Sequence, residues 1–141
     1  MSRPLYETKE DMDRETAVAT ELCRAWKCTS RKFGKNYTLD YELLRDGEVV
    51  ALCEVKCRFV SHNTYDTYMI SVQKIKEAQK IADSRRLPAF IVVHYEDDIR
   101  FFHVNMEPDW TEQGGRTDRG DPMDVEEVAH YKAERLTSIY P

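Results

Sequence analysis

The run VVALCEVKC, residues 49–57, restricts this chain more than any other segment. It follows Asp46-Gly47, a dipeptide that favours a tight hairpin turn, so strands are expected at roughly 37–44 and 48–57. Side chains alternate across a strand. Val49, Ala51, Cys53 and Val55 are therefore expected on one face, and Val50, Leu52, Glu54 and Lys56 on the other. The second face begins apolar and ends in a carboxylate and an ammonium. Burying either charge alone is costly, so the pair is solvated, mutually compensating, or engaged with a ligand.

Whether Asp40 joins that pair depends on the turn. A two-residue turn opposes positions whose numbers sum to 93 and sets Asp40 opposite Cys53, on the wrong face. An odd-length loop, or a bulge, opposes positions summing to 94 and brings Asp40 to Glu54. The hairpin is expected to contain one or the other; a plain two-residue turn without a bulge would count against a shared site.

Helical spacing of Val18, Leu22 and Ala25 predicts a helix from about Lys9 to Lys27, after a loose arm of eight residues. TSRKFGKN, residues 29–36, reads as a basic loop. SVQKIKEAQKIADSRR predicts a second helix with Val72, Ile75, Ala78 or Gln79, and Ala82 inward and Ser71 as N-cap. AFIVVHY reads as a strand buried on both faces, and IRFFHV as its hairpin partner. Residues 105–122 are expected to form a long loop, with a final helix from about Asp124 to Leu136. Strands, then a helix, then a buried strand predict an α/β fold: a mixed central sheet flanked by helices, in a single domain over 1–141 with its core at about 12–104.

No apolar run is long enough for a membrane span, and the start lacks the apolar stretch of a signal peptide. A cytoplasmic, membrane-free protein is expected. Cys23, Cys28, Cys53 and Cys57 form no CxxC pair and read as reduced thiols. The net charge of −5 disfavours a polyanion partner at first sight. Its distribution does not, because residues 22–86 carry 13 basic against 8 acidic groups. Arg31, Lys32, Lys35, Arg58, Lys74, Lys76, Lys80, Arg85 and Arg86 are the candidate phosphate contacts, and Tyr65 and Tyr68 candidates for base stacking or for capping the sheet.

Two facing carboxylates repel unless a cation lies between them, and oxygen-only ligation suits Mg2+ or Mn2+. A lysine beside such an ion can hold a water nucleophile or a phosphate oxygen. This is equipment for phosphodiester hydrolysis. Asp40 with Glu54-Val55-Lys56, in this order of elements, resembles the PD-(D/E)XK nuclease superfamily, and most of all its small resolvase-like and phage-encoded members. The proline that the superfamily places before the aspartate is absent, since Leu39 stands there.

The resemblance implies a restriction-endonuclease-like core and a Mg2+- or Mn2+-dependent nuclease acting on nucleic acid, with DNA the expected substrate. Asp40, Glu54, the Val55 carbonyl and Glu15 would hold the metal, Lys56 would orient water, and Gln73 or Lys74 would assist from the second helix. Glu21 is the alternative to Glu15. A homodimer, and the host cytoplasm for a phage-encoded chain, follow on the same ground. The competing reading is a nuclease-fold protein that binds nucleic acid or a protein partner without cutting. In the blandest case Glu54–Lys56 is an edge-strand pair, Asp40 a solvated residue and Glu15 a first-turn acid complementing the helix dipole.

Overall fold

The computed structural model describes residues 9–34, 39–115 and 125–140. Helix α1 spans Lys9–Trp26 and is followed by β1 (Thr29–Lys32), β2 (Tyr41–Arg45) and β3 (Glu48–Cys57). Then come β4 (Thr67–Ser71), helix α2 (Val72–Arg85), β5 (Ala89–His94) and β6 (Ile99–His103). The chain ends with β7 (Trp110–Gly115), β8 (Val125–Lys132), a single 3-10 turn at Ala133–Arg135 and β9 (Thr137–Ser138). Six strands form one sheet in the order β1-β2-β3-β5-β6-β9, and β4-β8-β7 form a second. The large sheet is mixed: β3 and β5 run parallel and the other pairs antiparallel. Parallel neighbours need a crossover, and α2 lies in the one between β3 and β5.

The hairpin meets its expectation through a bulge. Asp46 and Gly47 both take positive φ, 53° and 81°, as a two-residue turn of this hand requires. Arg45 faces Glu48 and Leu44 faces Val49, but Leu43 faces Ala51 and Tyr41 faces Cys53. Val50 is the extra residue. From there toward Asp40 the register sums to 94. The bulge also corrects the face assignment: Val49 packs with Leu52 against α2, whereas Ala51, Cys53 and Val55 pack against α1. A one-residue insertion exchanges the faces on either side of it.

Each face of the large sheet carries a helix. Val18, Ala19 and Leu22 of α1 are buried against Tyr41, Leu43, Ala51, Cys53 and Val92. Trp26 closes that layer edge-on to Phe90 and Phe101, with ring centroids 5.4 and 4.9 Å away. Ile75, Ala78 and Ala82 of α2 bury on the other side with Leu52, Ile91 and Val93. Gln79 of α2 donates to the Val104 carbonyl at 2.8 Å. Ser71 precedes α2 but makes no side-chain cap.

Three segments differ from expectation. Within the stretch 105–122 expected as a loop, Trp110–Gly115 forms strand β7, because it pairs with β8. TSRK is a strand, because Thr29–Lys32 extends the sheet by pairing with β2. The expected C-terminal helix is strand β8 instead. Ala129 and Tyr131, two residues apart, are buried against Tyr68, Ile70 and Phe102, with His130 buried between them, so strand pairing prevails over the acidic, helix-like composition. Lys35, the first eight residues and most of GGRTDRG lie outside the described residues.

Candidate active site

Asp40 stands where β2 begins. Its backbone N–H donates to the Cys53 carbonyl at 3.0 Å, and its Oδ2 accepts the Val55 N–H at 2.7 Å. The carboxylate thus replaces a strand acceptor at the point where β2 parts from β3, since the paired register ends at Tyr41 and Cys53. In a strand the N–H and C=O of one residue point the same way, so the Val55 carbonyl also faces this opening.

Glu54 comes from the α2 face of β3 and is 3% exposed. Its Oε1 meets two ammonium groups, Lys74 at 2.9 Å and Lys56 at 3.2 Å. Its Oε2 is buried without a hydrogen-bond partner. A buried acceptor left unpaired is costly and marks a place where a ligand would be favoured. Burial lowers the Lys56 ammonium from the usual lysine range, Glu54 raises it, and Lys74 lowers it further.

Glu15 approaches from α1. Lys32 Nζ lies 3.1 Å from its Oε1, close enough for an ion pair but without hydrogen-bond alignment. Burial, and then the charge of Glu15, push the neighbouring Tyr41 hydroxyl above its ordinary range. Asp40 feels Glu15, Glu54 and Lys56. Burial pushes its carboxyl up to about 7; the Val55 N–H pulls it down, and the charges of Glu15 and Glu54 raise it again. Three carboxylates from both sheet faces therefore act on one opening.

The structure brings Asp40, Glu54, Lys56 and Lys74 together, with Glu15 and Lys32 beside them. The other candidates are placed differently. Gln73 is exposed and donates to Glu77 at 3.2 Å along α2. Arg58 turns inward, its guanidinium 4.9 Å from the Tyr68 ring and bonded to the Tyr68 hydroxyl. Tyr68 is itself 3% exposed and belongs to the core. Glu21 pairs with Arg24 one turn away on α1. Arg31 and Arg85 both bind Glu42, at 2.7 and 2.6 Å. Sequence reasoning overlooked Glu42, a buried carboxylate held low against its own burial by those two guanidinium groups. Its position inside a strand beside two arginine-rich segments was the available signal. Tyr41, adjacent to Asp40, was overlooked as a group that feels Glu15.

Among the described residues, no three His, Cys, Asp or Glu side chains converge tightly enough to hold a metal as they stand. The donor chemistry nevertheless fits a hard divalent cation: carboxylate oxygens and a carbonyl at one opening, with one buried oxygen unpaired.

The family model described as "Phage putative PDDEXK endonuclease" matches residues 1–139. The chain belongs to this family. Membership makes it a nuclease of the PDDEXK type. Among solved structures this family member is similar to Hjc, a Holliday junction resolvase of the archaeal hyperthermophile Archaeoglobus fulgidus. Identity is 16%, the TM-score 0.57, and the match covers 86% of this chain and 84% of that one. At that identity the likeness shows the fold, which is restriction-endonuclease-like. No curated protein matches. No helix of the described residues is long and apolar enough to cross a membrane.

Proposed function

We propose that this family member is a divalent-metal-dependent nuclease of DNA, with Mg2+ or Mn2+ as its cofactor. The observation that carries the proposal is the state of Glu54: buried, one oxygen shared by two ammonium groups, the other unpaired, beside an Asp40 whose charge is disfavoured. That imbalance is what a cation would relieve. Asp40, Glu54 and the Val55 carbonyl hold the ion, and Glu15 assists from α1 directly or through water. When bound, the metal neutralises phosphate charge and lowers the pKa of water.

The chain's own groups do the rest. Lys56, fixed by Glu54, orients the attacking water in line with the scissile bond. Lys74 holds Glu54 from α2 and brings a second positive charge toward the phosphate oxygens. Lys32 is a phosphate contact beside Glu15. The phage family description supports action in a host cytoplasm, and the sequence resemblance to small resolvase-like members supports a homodimer, which light scattering would check.

The test is metal-dependent cleavage of labelled single-stranded, double-stranded, branched and RNA substrates, with Lys56→Ala alongside. The expected outcome is cutting of a DNA substrate that requires metal and drops about 100-fold or more in the mutant. Tight binding without cutting on any substrate would replace this reading with that of a non-cleaving binder.

A further inference from the structure

The loop between β3 and β4 carries two aromatic side chains almost wholly in solvent, Phe59 at 68% and Tyr65 at 66% exposure. Single exposed apolar residues are ordinary. Phe59 is not on a slack stretch of that loop, however. The Arg58 N–H donates to the His94 carbonyl at 2.8 Å, and the Glu96 N–H to the Val60 carbonyl at 3.0 Å. His62 grips both oxygens of Asp97, through its backbone N–H at 2.9 Å and its ring Nδ1 at 2.6 Å. The Ser61 hydroxyl adds a 3.0 Å bond to the same carboxylate. Residues 58–62 are thus tied to the end of β5 and the turn after it, and the Phe59 ring stands out from that fixed stretch.

Phe59 also has a position relative to the site. It lies two residues past the end of β3, and the Arg14 guanidinium stands 5.1 Å from its ring centroid. Arg14 is the neighbour of Glu15 on α1, whose charge acts on Asp40. A fixed, flat, solvent-facing ring with a guanidinium on one side, itself 3.9 Å from Glu10, offers its other π face to a base. In a continuous duplex the faces of the bases are already stacked. The ring can be used only by a base that has left the stack.

We propose that Phe59, backed by Arg14 and followed along the loop by Tyr65, is a stacking platform for an unpaired nucleobase beside the scissile phosphate. The preferred substrate is accordingly DNA with a splayed, flapped or single-stranded junction. This rests on the nuclease reading of the same site.

The test reads binding and cutting separately. A duplex with a short unpaired 3′ or 5′ arm, carrying 2-aminopurine at the junction, is titrated in EDTA and compared with a fully paired duplex of the same length. Wild-type protein is expected to quench the 2-aminopurine emission and to bind the armed duplex more tightly. Phe59→Ala is expected to lose the quenching and to weaken that preference on the order of 10- to 100-fold, as loss of a stacked base does. Phe59→Tyr, which keeps the ring, restores both. Equal preference in wild type and Phe59→Ala, or quenching that persists in the mutant, would overturn the platform, as would binding of neither oligonucleotide. Cleavage of both duplexes is then measured in Mg2+. Its absence would refute the nuclease reading alone, because the stacking result is obtained without metal.

Discussion

At the scale of single residues, the site is a balance of charge around Asp40 and Glu54. Asp40 is the titrating member. Its ordinary pKa of 3.8 is pushed up to about 7, chiefly by burial and then by Glu15 and Glu54 against the pull of the Val55 N–H. Without metal, the folded chain keeps a proton there that the unfolded chain releases. Stability therefore falls as pH rises from about 4 to about 7, by at most roughly 1.4 kcal/mol per pH unit. Thermal melts in EDTA between pH 5 and 8 check this: Asp40→Asn is expected to flatten the dependence, and parallel curves for the two proteins would contradict it. Metal affinity should rise over the same range, since Asp40 must lose its proton to serve as a ligand.

At the scale of elements, the hairpin explains why Asp40 is available at all. The sum-of-94 register was legible because Asp46-Gly47 and the period-two pattern of residues 49–57 left only two alternatives. That Val50, and not a longer loop, would be the extra residue was not legible, since several β-branched neighbours suit a bulge equally well. β8 was misread because Glu126, Glu127 and Glu134 suggest a helix. Its strand pattern has meaning only between β7 and β4, and β4 lies more than fifty residues earlier in the chain.

The ion pairs of Glu42 are a second element-scale feature, joining β1 and α2 to β2. Replacing Arg31 and Arg85 together by Gln leaves a carboxylate only 9% exposed without a cation, and should cost about 2–3 kcal/mol. Arg31→Gln alone should cost about 1 kcal/mol or less, because that side chain is largely solvated. Urea denaturation distinguishes these, and equal small losses would mean that Glu42 is not held as described. In the second sheet, a Cβ on Gly114 would come within 2.6 Å of Val128 Cγ2, on the strand opposite. Gly114→Ala should therefore destabilise by about 1–2 kcal/mol, and Val128→Ala in the same chain should recover part of that, as measured by thermal shift.

At the scale of the whole molecule, a net charge of −5 coexists with a basic central stretch. The structure divides that stretch by use. Lys56 and Lys74 bind Glu54, Arg31 and Arg85 bind Glu42, and Lys32 stands beside Glu15 at the opening. Sequence could supply the candidates but not this division, which depends on contacts between α2, β1 and β2. The salt dependence of DNA binding tests the division. Lys32→Ala should make the slope of log K against log salt shallower by about 1, as loss of one phosphate contact does, and Arg31→Gln should leave it unchanged. The reverse result would move the interface to the side of β1 on which Arg31 meets Glu42.

The central claim is that Glu54 serves a metal that the reaction requires. The most direct measurement is the initial rate of DNA cleavage against Mg2+ concentration for wild type and Glu54→Gln, with the melting temperature of both recorded. The account predicts no cutting in EDTA, a saturating dependence on Mg2+ in wild type, and a loss of about 100-fold or more in a Glu54→Gln protein that remains folded. Cutting that proceeds in EDTA, or a folded Glu54→Gln protein as active as wild type, would contradict it.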